Sequence, residues 1–290
     1  MHLFVAPPSA QARIKAFLLY ASLPIGGIAF CFLLGTYALL ELPLSWPLLV
    51  LGFCAAFLIY QAERTLHTAP EDIYNHPERR VWLAQHRRYV WISSLSAAGV
   101  AMAMLPLLRP VTLVAGVVLA SLSVLYMVPF GKHGHRLKGY GMLKPVLIST
   151  AWSVGGVVLP VVQAGVAVDG TVLALVGYRF LFVLPNAVLS DWPDRKGDDK
   201  AGLRTLATRF SLRQLQWIAT AALILGIGGV GIALFFADVS WILGIDALGL
   251  GLMLWLVWRP VPPSRFLFSF MLDALVAWPG VTACVVFWSG

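Results

Sequence analysis

Three closely spaced aspartates carry the first chemical signal in this chain. Asp191, Asp194 and Asp198 stand at i, i+3 and i+7 in the run Leu184-Pro-Asn-Ala-Val-Leu-Ser-Asp-Trp-Pro-Asp-Arg-Lys-Gly-Asp-Asp-Lys200. That spacing puts them on one face wherever the backbone is helical. Three carboxylates on one face repel one another, so something cationic must offset them. Mg²⁺ suits the task, because it takes oxygen ligands and often binds through a few carboxylates together with substrate phosphates. The competing reading is a solvated acidic loop end paired with Arg195 and Lys196. Pro193 disfavours one continuous helix through Asp191 and Asp194. The chain is therefore expected to leave its helix at Ser190 or Asp191 and to begin a new turn there.

The elements around this acidic run belong to a membrane. The 290 residues are 59% hydrophobic and only 12% charged, with a mean hydropathy of +0.82, where soluble domains carry roughly 25% charged residues. So much apolar surface needs lipid as its solvent. A membrane helix needs about 20 apolar residues, and nine stretches qualify: 14–37, 46–66, 89–108, 111–129, 142–164, 171–190, 213–236, 240–258 and 266–288. Arg13 and Lys15 precede the first run, and no small-x-small cleavage site closes it, so it reads as a span and not a signal peptide. The expected fold is an all-α polytopic membrane protein of about nine transmembrane helices, forming a single domain over residues 1–290.

A formal charge of +8 would by itself suggest nucleic acid. The placement of the charges argues otherwise. With the N-terminus inside, 19 of the 21 Lys and Arg residues fall on the cytoplasmic side; Arg109 falls outside and Arg179 within a span. That asymmetry is the positive-inside rule. It orients the N-terminus to the cytoplasm, and no nucleic-acid partner is expected. The compact length points to a prokaryotic inner membrane.

Some polar residues lie inside apolar runs. Asn186 sits in the sixth span, one turn before Ser190, where either a cavity wall or a helix–helix hydrogen bond would use it. Arg179 shares that span, and an arginine at mid-bilayer costs roughly 2.5–3.5 kcal/mol on insertion scales; either it snorkels outward or the helix starts later. No mid-membrane charge pair of the kind a transporter uses is expected. Cys31, Cys54 and Cys284 lie in apolar runs without ligand spacing and read as buried small hydrophobes. His76, His86, His133 and His135 read as surface loop residues, and Lys132, Arg136, Lys138 and Lys144 as ordinary positive-inside charges.

The string from Asp191 to Phe210, DWPDRKGDDKAGLRTLATRF, resembles the second aspartate-rich motif of the UbiA superfamily of intramembrane prenyltransferases. The matching positions are Asp191, Asp194, Gly197, Asp198, Gly202, Thr205 and Leu206. The segment Tyr126-Met-Val-Pro-Phe-Gly-Lys132 is similar to the family's tyrosine-to-lysine stretch after helix four, and Asn75-His-Pro-Glu-Arg79 to its short Asn/Arg-Pro segment. The first acidic motif departs from the family pattern. Ile59 and Tyr60 stand where Asn and Asp are usual, Glu63 keeps the middle carboxylate, Arg64 keeps the arginine, and His67 replaces the last Asp. Glu63 and His67, at i and i+4, would share a helix face.

The resemblance implies a helix bundle around a central cavity. In it Mg²⁺ would join the two motifs to the diphosphate of an isoprenyl donor, and a lipophilic or aromatic acceptor would capture the isoprenyl group among membrane lipids. Carried over position by position, Asp191, Asp194 and Asp198 would hold one Mg²⁺ and Glu63 with His67 the other. Arg64, Lys132 and Arg136 would bind diphosphate oxygens, Tyr126 would orient the donor, and Asn186 would line the cavity. Two alternatives stay open: a UbiA-type terpene cyclase, in which the substrate's own double bond captures the cation, and a non-catalytic family member that binds lipid.

Overall fold

The computed structural model describes residues 20–65, 72–127, 140–141, 143–236, 241–260 and 265–289. Its helices are α1 (Leu23–Leu39), α2 (Trp46–Thr65), α3 (Asp72–Asn75), α4 (Pro77–Gln85), α5 (Arg87–Met104), α6 (Pro110–Met127), α7 (Leu143–Ala164), α8 (Gly170–Leu189), α9 (Arg195–Lys200), α10 (Leu206–Arg209), α11 (Leu212–Phe236), α12 (Ile242–Val257), α13 (Arg265–Val276) and α14 (Trp278–Ser289). A two-residue parallel pair, β1 (Tyr140–Gly141) with β2 (Arg204–Thr205), matches Tyr140 to Arg204 and Gly141 to Thr205.

Among the described residues, five helices are long and apolar enough to cross a membrane: α2, α5 with its trailing 3₁₀ turn, α7, α8 and α11. The broken pair α13–α14 makes a sixth, and α1, α6 and α12 are shorter apolar helices. The break falls inside the expected span 266–288 and bends it by 41°. Pro279 explains it, since an imino nitrogen at the second residue of α14 cannot continue the hydrogen-bond ladder of α13. The expected span 89–108 likewise ends in a 3₁₀ turn, Leu105–Leu107, at Pro106.

The helices pack in order, α1 on α2, α2 on α5, α6 on α7, α7 on α8, α8 on α11, α11 on α12, α12 on α14 and α14 back on α1, with α5 leading to α6 through the Leu105–Leu107 turn and α1 also packed on α7. Small residues let the backbones approach, as in other membrane bundles. A Cβ on Gly35 would lie 2.3 Å from Pro279, one on Gly280 2.6 Å from Cys31, and one on Gly156 2.3 Å from Phe32. At this last contact Thr36 Oγ1 donates to the Gly156 carbonyl at 2.7 Å, tying α1 to α7. Helix α8 starts on Asp169, whose carboxylate accepts from the Val172 N–H at 3.0 Å and so caps an orphan donor. Cys54 is buried as expected, Cys31 is half-buried, and Cys284 is exposed on the outer face of the bundle, against expectation.

Arg179 neither snorkels nor precedes its helix. It is fully buried in the middle of α8, with Nη1 2.7 Å and Nη2 3.3 Å from the carboxylate of Asp246 on α12. Tyr178 donates to the same carboxylate at 2.7 Å, and Thr282 of α14 at 3.0 Å. The bundle therefore does contain an intramembrane ion pair, contrary to the sequence reading. It joins α8, α12 and α14 at full burial, and neither residue lines the central cavity.

Candidate functional site

The bundle holds a half-open cavity of about 1930 Å³. Most of its wall is apolar, supplied by α1, α2, α6 and α7, and its polar end is built from four pieces of chain: the end of α2, the α3–α4 corner, the start of α7 and the α8–α9 turn.

The α8–α9 turn arises from local sequence. Helix α8 ends at Leu189, and the Asp194 N–H donates to the Asp191 carbonyl at 3.1 Å, so the chain turns through Pro193 before α9 begins. The helix break expected at Pro193 is present, and the three aspartates still reach the cavity wall from turn and short helix. Their partners come from distant segments. Lys144, at the second position of α7, pairs with Asp191. His76 Nε2 lies 3.2 Å from Asp194 Oδ2, and Asn75 Nδ2 donates to Asp198 Oδ1 at 2.8 Å. Arg195 lies over the Trp192 ring at 3.8 Å, and Lys196 is exposed. Among the described residues the acidic face is thus met by Lys144, His76 and Asn75.

Asp191 and Asp198 are 7% and 4% exposed. Burial, reinforced by the nearby Asp191, pushes the Asp198 carboxyl up to about 6, against the opposing pull of Lys144 and Asn75. Burial disfavours the charged form, and a second carboxylate adds to it. The packing that seats Asn75 depends on Gly197, where a Cβ would lie 1.9 Å from Asn75 Oδ1. The β1–β2 pair holds the chain entering α7 against the strand after α9, which places Lys144 beside Asp191.

Glu63 and Arg64 line the same cavity from the last turn of α2. Arg64 Nη1 lies 3.3 Å from Ser22 Oγ, which donates to Gln61 Oε1 at 2.8 Å. Asn186 also lines the cavity, and its Nδ2 donates to Asp273 Oδ1 on α13 at 3.1 Å. It is both cavity wall and helix–helix bond, the two readings the sequence left open. His67, Lys132, Arg136 and the side chain of Tyr126 lie outside the described residues.

His76 and Lys144 are corrections: neither is the plain surface charge expected of it. His86 is exposed, as expected, and stacks on Trp82 with centroids 4.4 Å apart. Asp273 and Asp246 were missed. Each is a lone carboxylate in an apolar run, a signal visible in the sequence.

A metal at this end would find carboxylates from two separate segments, the α8–α9 turn and the end of α2. Among the described residues no group of three or more His, Cys, Asp or Glu side chains closes into a ready metal cage. The donor set fits an ion that takes one or two carboxylates here and completes its shell with phosphate oxygens and water, as Mg²⁺ commonly does. The crowding of buried Asp191 and Asp198 favours such an ion.

No curated protein matches the chain. A solved structure, the apo structure of a UbiA homolog from Aeropyrum pernix K1, shares the fold with a TM-score of 0.62 at 14% identity, covering 92% of this chain and 97% of that one. The model of the UbiA prenyltransferase family matches residues 80–272, which include all three aspartates of the second motif and begin after Glu63. With two thirds of its length matched and a helical bundle holding that motif at its cavity, the chain is an integral membrane protein that belongs to the UbiA prenyltransferase family.

Proposed function

We propose that this protein moves an isoprenyl group from its diphosphate to a lipophilic acceptor within the membrane. One observation carries the reading: Asp191, Asp194 and Asp198 from the α8–α9 turn and Glu63 with Arg64 from the end of α2 line a single cavity whose wall is mostly apolar. A diphosphate brings several negative charges to a site already rich in carboxylates. Mg²⁺, held by the second motif and more thinly by Glu63, would supply the positive charge that reconciles them and stabilises the leaving group.

The chain's own groups do the rest. Lys144 and Arg64 sit at the polar end of the cavity, where each can hydrogen-bond diphosphate oxygens. Ile28, Phe32, Leu51, Leu119 and Leu147 line the apolar length and can take the isoprenyl tail. Water excluded from that part cannot capture the allylic cation left when the C1–O bond breaks and its electron pair departs with pyrophosphate. An electron-rich acceptor then closes the new bond at C1.

The test uses purified protein in lipid nanodiscs with Mg²⁺, geranyl, farnesyl and geranylgeranyl diphosphates, and a panel of lipophilic aromatic acceptors. Pyrophosphate should be released with at least one donor and lost in Glu63→Ala and in Asp194→Ala. Release no faster than from empty nanodiscs would leave a lipid-binding family member. Cyclised product without acceptor would mark a cyclase.

A further inference from the structure

Away from the cavity, the paired ends of α11 and α12 hold a second hollow. Gln216, near the start of α11, donates to the Val257 carbonyl at the end of α12 at 2.7 Å, so the two helices run antiparallel there. Helix α11 begins soon after the Asp191–Asp198 motif, which puts the hollow on the motif's side of the bundle. It is an open groove of about 580 Å³ lined by Gly251, Leu254, Trp255, Trp258, Arg259 and Pro260, and it shares no residue with the cavity.

Helical spacing gives the groove its length. Gly251, Leu254 and Trp258 stand at i, i+3 and i+7 along α12 and its C-cap, on one face. The groove therefore runs roughly 10 Å down the helix, at about 1.5 Å per residue. A Cβ on Gly251 would meet no atom within 4 Å, so the deep end is open. Trp258 meets Trp217 edge-on with centroids 5.0 Å apart and donates from Nε1 to Thr220 Oγ1 at 3.0 Å, which fixes one wall. At the mouth the Arg259 guanidinium lies 4.1 Å from the centre of the Trp255 ring. Stacked on an indole, a guanidinium keeps its edge N–H groups available to an oxyanion. Among the described residues no carboxylate pairs with it. Arg213, one turn before Trp217 on α11, is exposed at the same end.

We propose that this groove binds one anionic phospholipid of the cytoplasmic leaflet, with its phosphate on Arg259, Arg213 beside it, and an acyl chain lying along Leu254 to Gly251. An apolar trough with a cation at its mouth matches a phospholipid in outline and in charge. The exposed rings of Trp217, Trp255 and Trp258 suit the headgroup level, where tryptophan concentrates. The Lys and Arg count favours the cytoplasmic side, whose leaflet carries negative charge, and basic pockets between membrane helices take such headgroups. A zwitterionic headgroup would bring an ammonium of its own beside the two arginines, and an anionic one does not. The lipid would rest on both helices and hold them together.

The experiment is native mass spectrometry of the full-length protein in detergent with phosphatidylglycerol or phosphatidylcholine added, and thermal unfolding of the same samples. Wild type should retain one phosphatidylglycerol about fivefold more than phosphatidylcholine, the scale of one arginine near an anionic headgroup, and should unfold at a higher temperature with it. Arg259→Gln should lose that preference and bind phosphatidylcholine as wild type does. Gly251→Leu fills the acyl end of the groove and should weaken both lipids. Both positions are exposed, so each variant should match the wild-type Tm before lipid is added. Equal retention of the two lipids by wild type, or an unchanged preference in Arg259→Gln, overturns the site. The same Tm rise with inorganic phosphate or glycerophosphoglycerol would make it a site for a free phosphate and overturns the lipid. A wild-type dimer that Trp258→Ala splits would seat a second copy in the groove, with the same result.

Discussion

The ammonium of Lys144, from the first turn of α7, is paired with the carboxylate of Asp191 at the end of α8. Both side chains are largely buried, at 15% and 10% exposed. The protein thus places a cation of its own against the motif proposed to receive a metal, and offsets part of the acidic charge before any ligand arrives.

Removing that cation should expose the charge it offsets. Breaking a buried pair by deleting one partner costs about 3–5 kcal/mol when burial is complete, and the lower end suits this partly open site. Lys144→Met should lower the Tm of the metal-free protein by several degrees, and Mg²⁺ should recover more of that loss than it adds to wild type. Thermal unfolding in detergent with and without Mg²⁺ checks this. Equal Mg²⁺ effects on the two proteins would show that the pair and the ion do not share Asp191.

Gly197 leaves room for Asn75, and no methyl group fits between them. Gly197→Ala should push the α3–α4 corner off α9 and break the Asn75–Asp198 bond, costing about 1–3 kcal/mol as overpacked sites do. Pyrophosphate release should fall at least tenfold with the bundle intact. A fully active Gly197→Ala protein would argue that the corner need not close over the aspartates.

The Arg179–Asp246 pair gives a double-mutant test away from the cavity. Asp246→Leu alone strands a buried guanidinium and should cost about 3–5 kcal/mol, seen as loss of folded protein in the membrane fraction. Arg179→Met with Asp246→Leu should recover much of that, because two apolar side chains replace a buried ion pair at little net cost. A double variant no better than the single one would mean that the Tyr178 and Thr282 bonds matter more than the charge.

The elevated Asp198 carboxyl has a pH consequence. Unfolded, an aspartate titrates near 3.9; folded, this one is raised to about 6. The native state therefore binds the proton more tightly. The stabilisation this provides is complete below about pH 4 and disappears as pH rises through about 6. Metal-free wild type should lose stability across that window relative to Asp198→Asn, measured as Tm against pH. Parallel curves for the two proteins would place the carboxyl in a more hydrated setting.

Much of this molecule is legible in linear form because lipid imposes simple rules. Every spanning segment must satisfy its own backbone, so hydropathy locates the helices; a proline such as Pro193 marks a break because it lacks an N–H; and a spacing such as that of Asp191, Asp194 and Asp198 survives as a shared face. Pairings across the bundle obey no such local rule. That Lys144 meets Asp191, that His76 and Asn75 reach Asp194 and Asp198, that Arg179 finds Asp246 and that Asp273 turns to the cavity with Asn186 all depend on which helices become neighbours in the bundle. Neighbours are chosen by side-chain packing at small residues such as Gly35, Gly156 and Gly280, summed over contacts up to 120 or more residues apart in the chain. No single stretch of sequence holds that sum, so only the assembled bundle decides it.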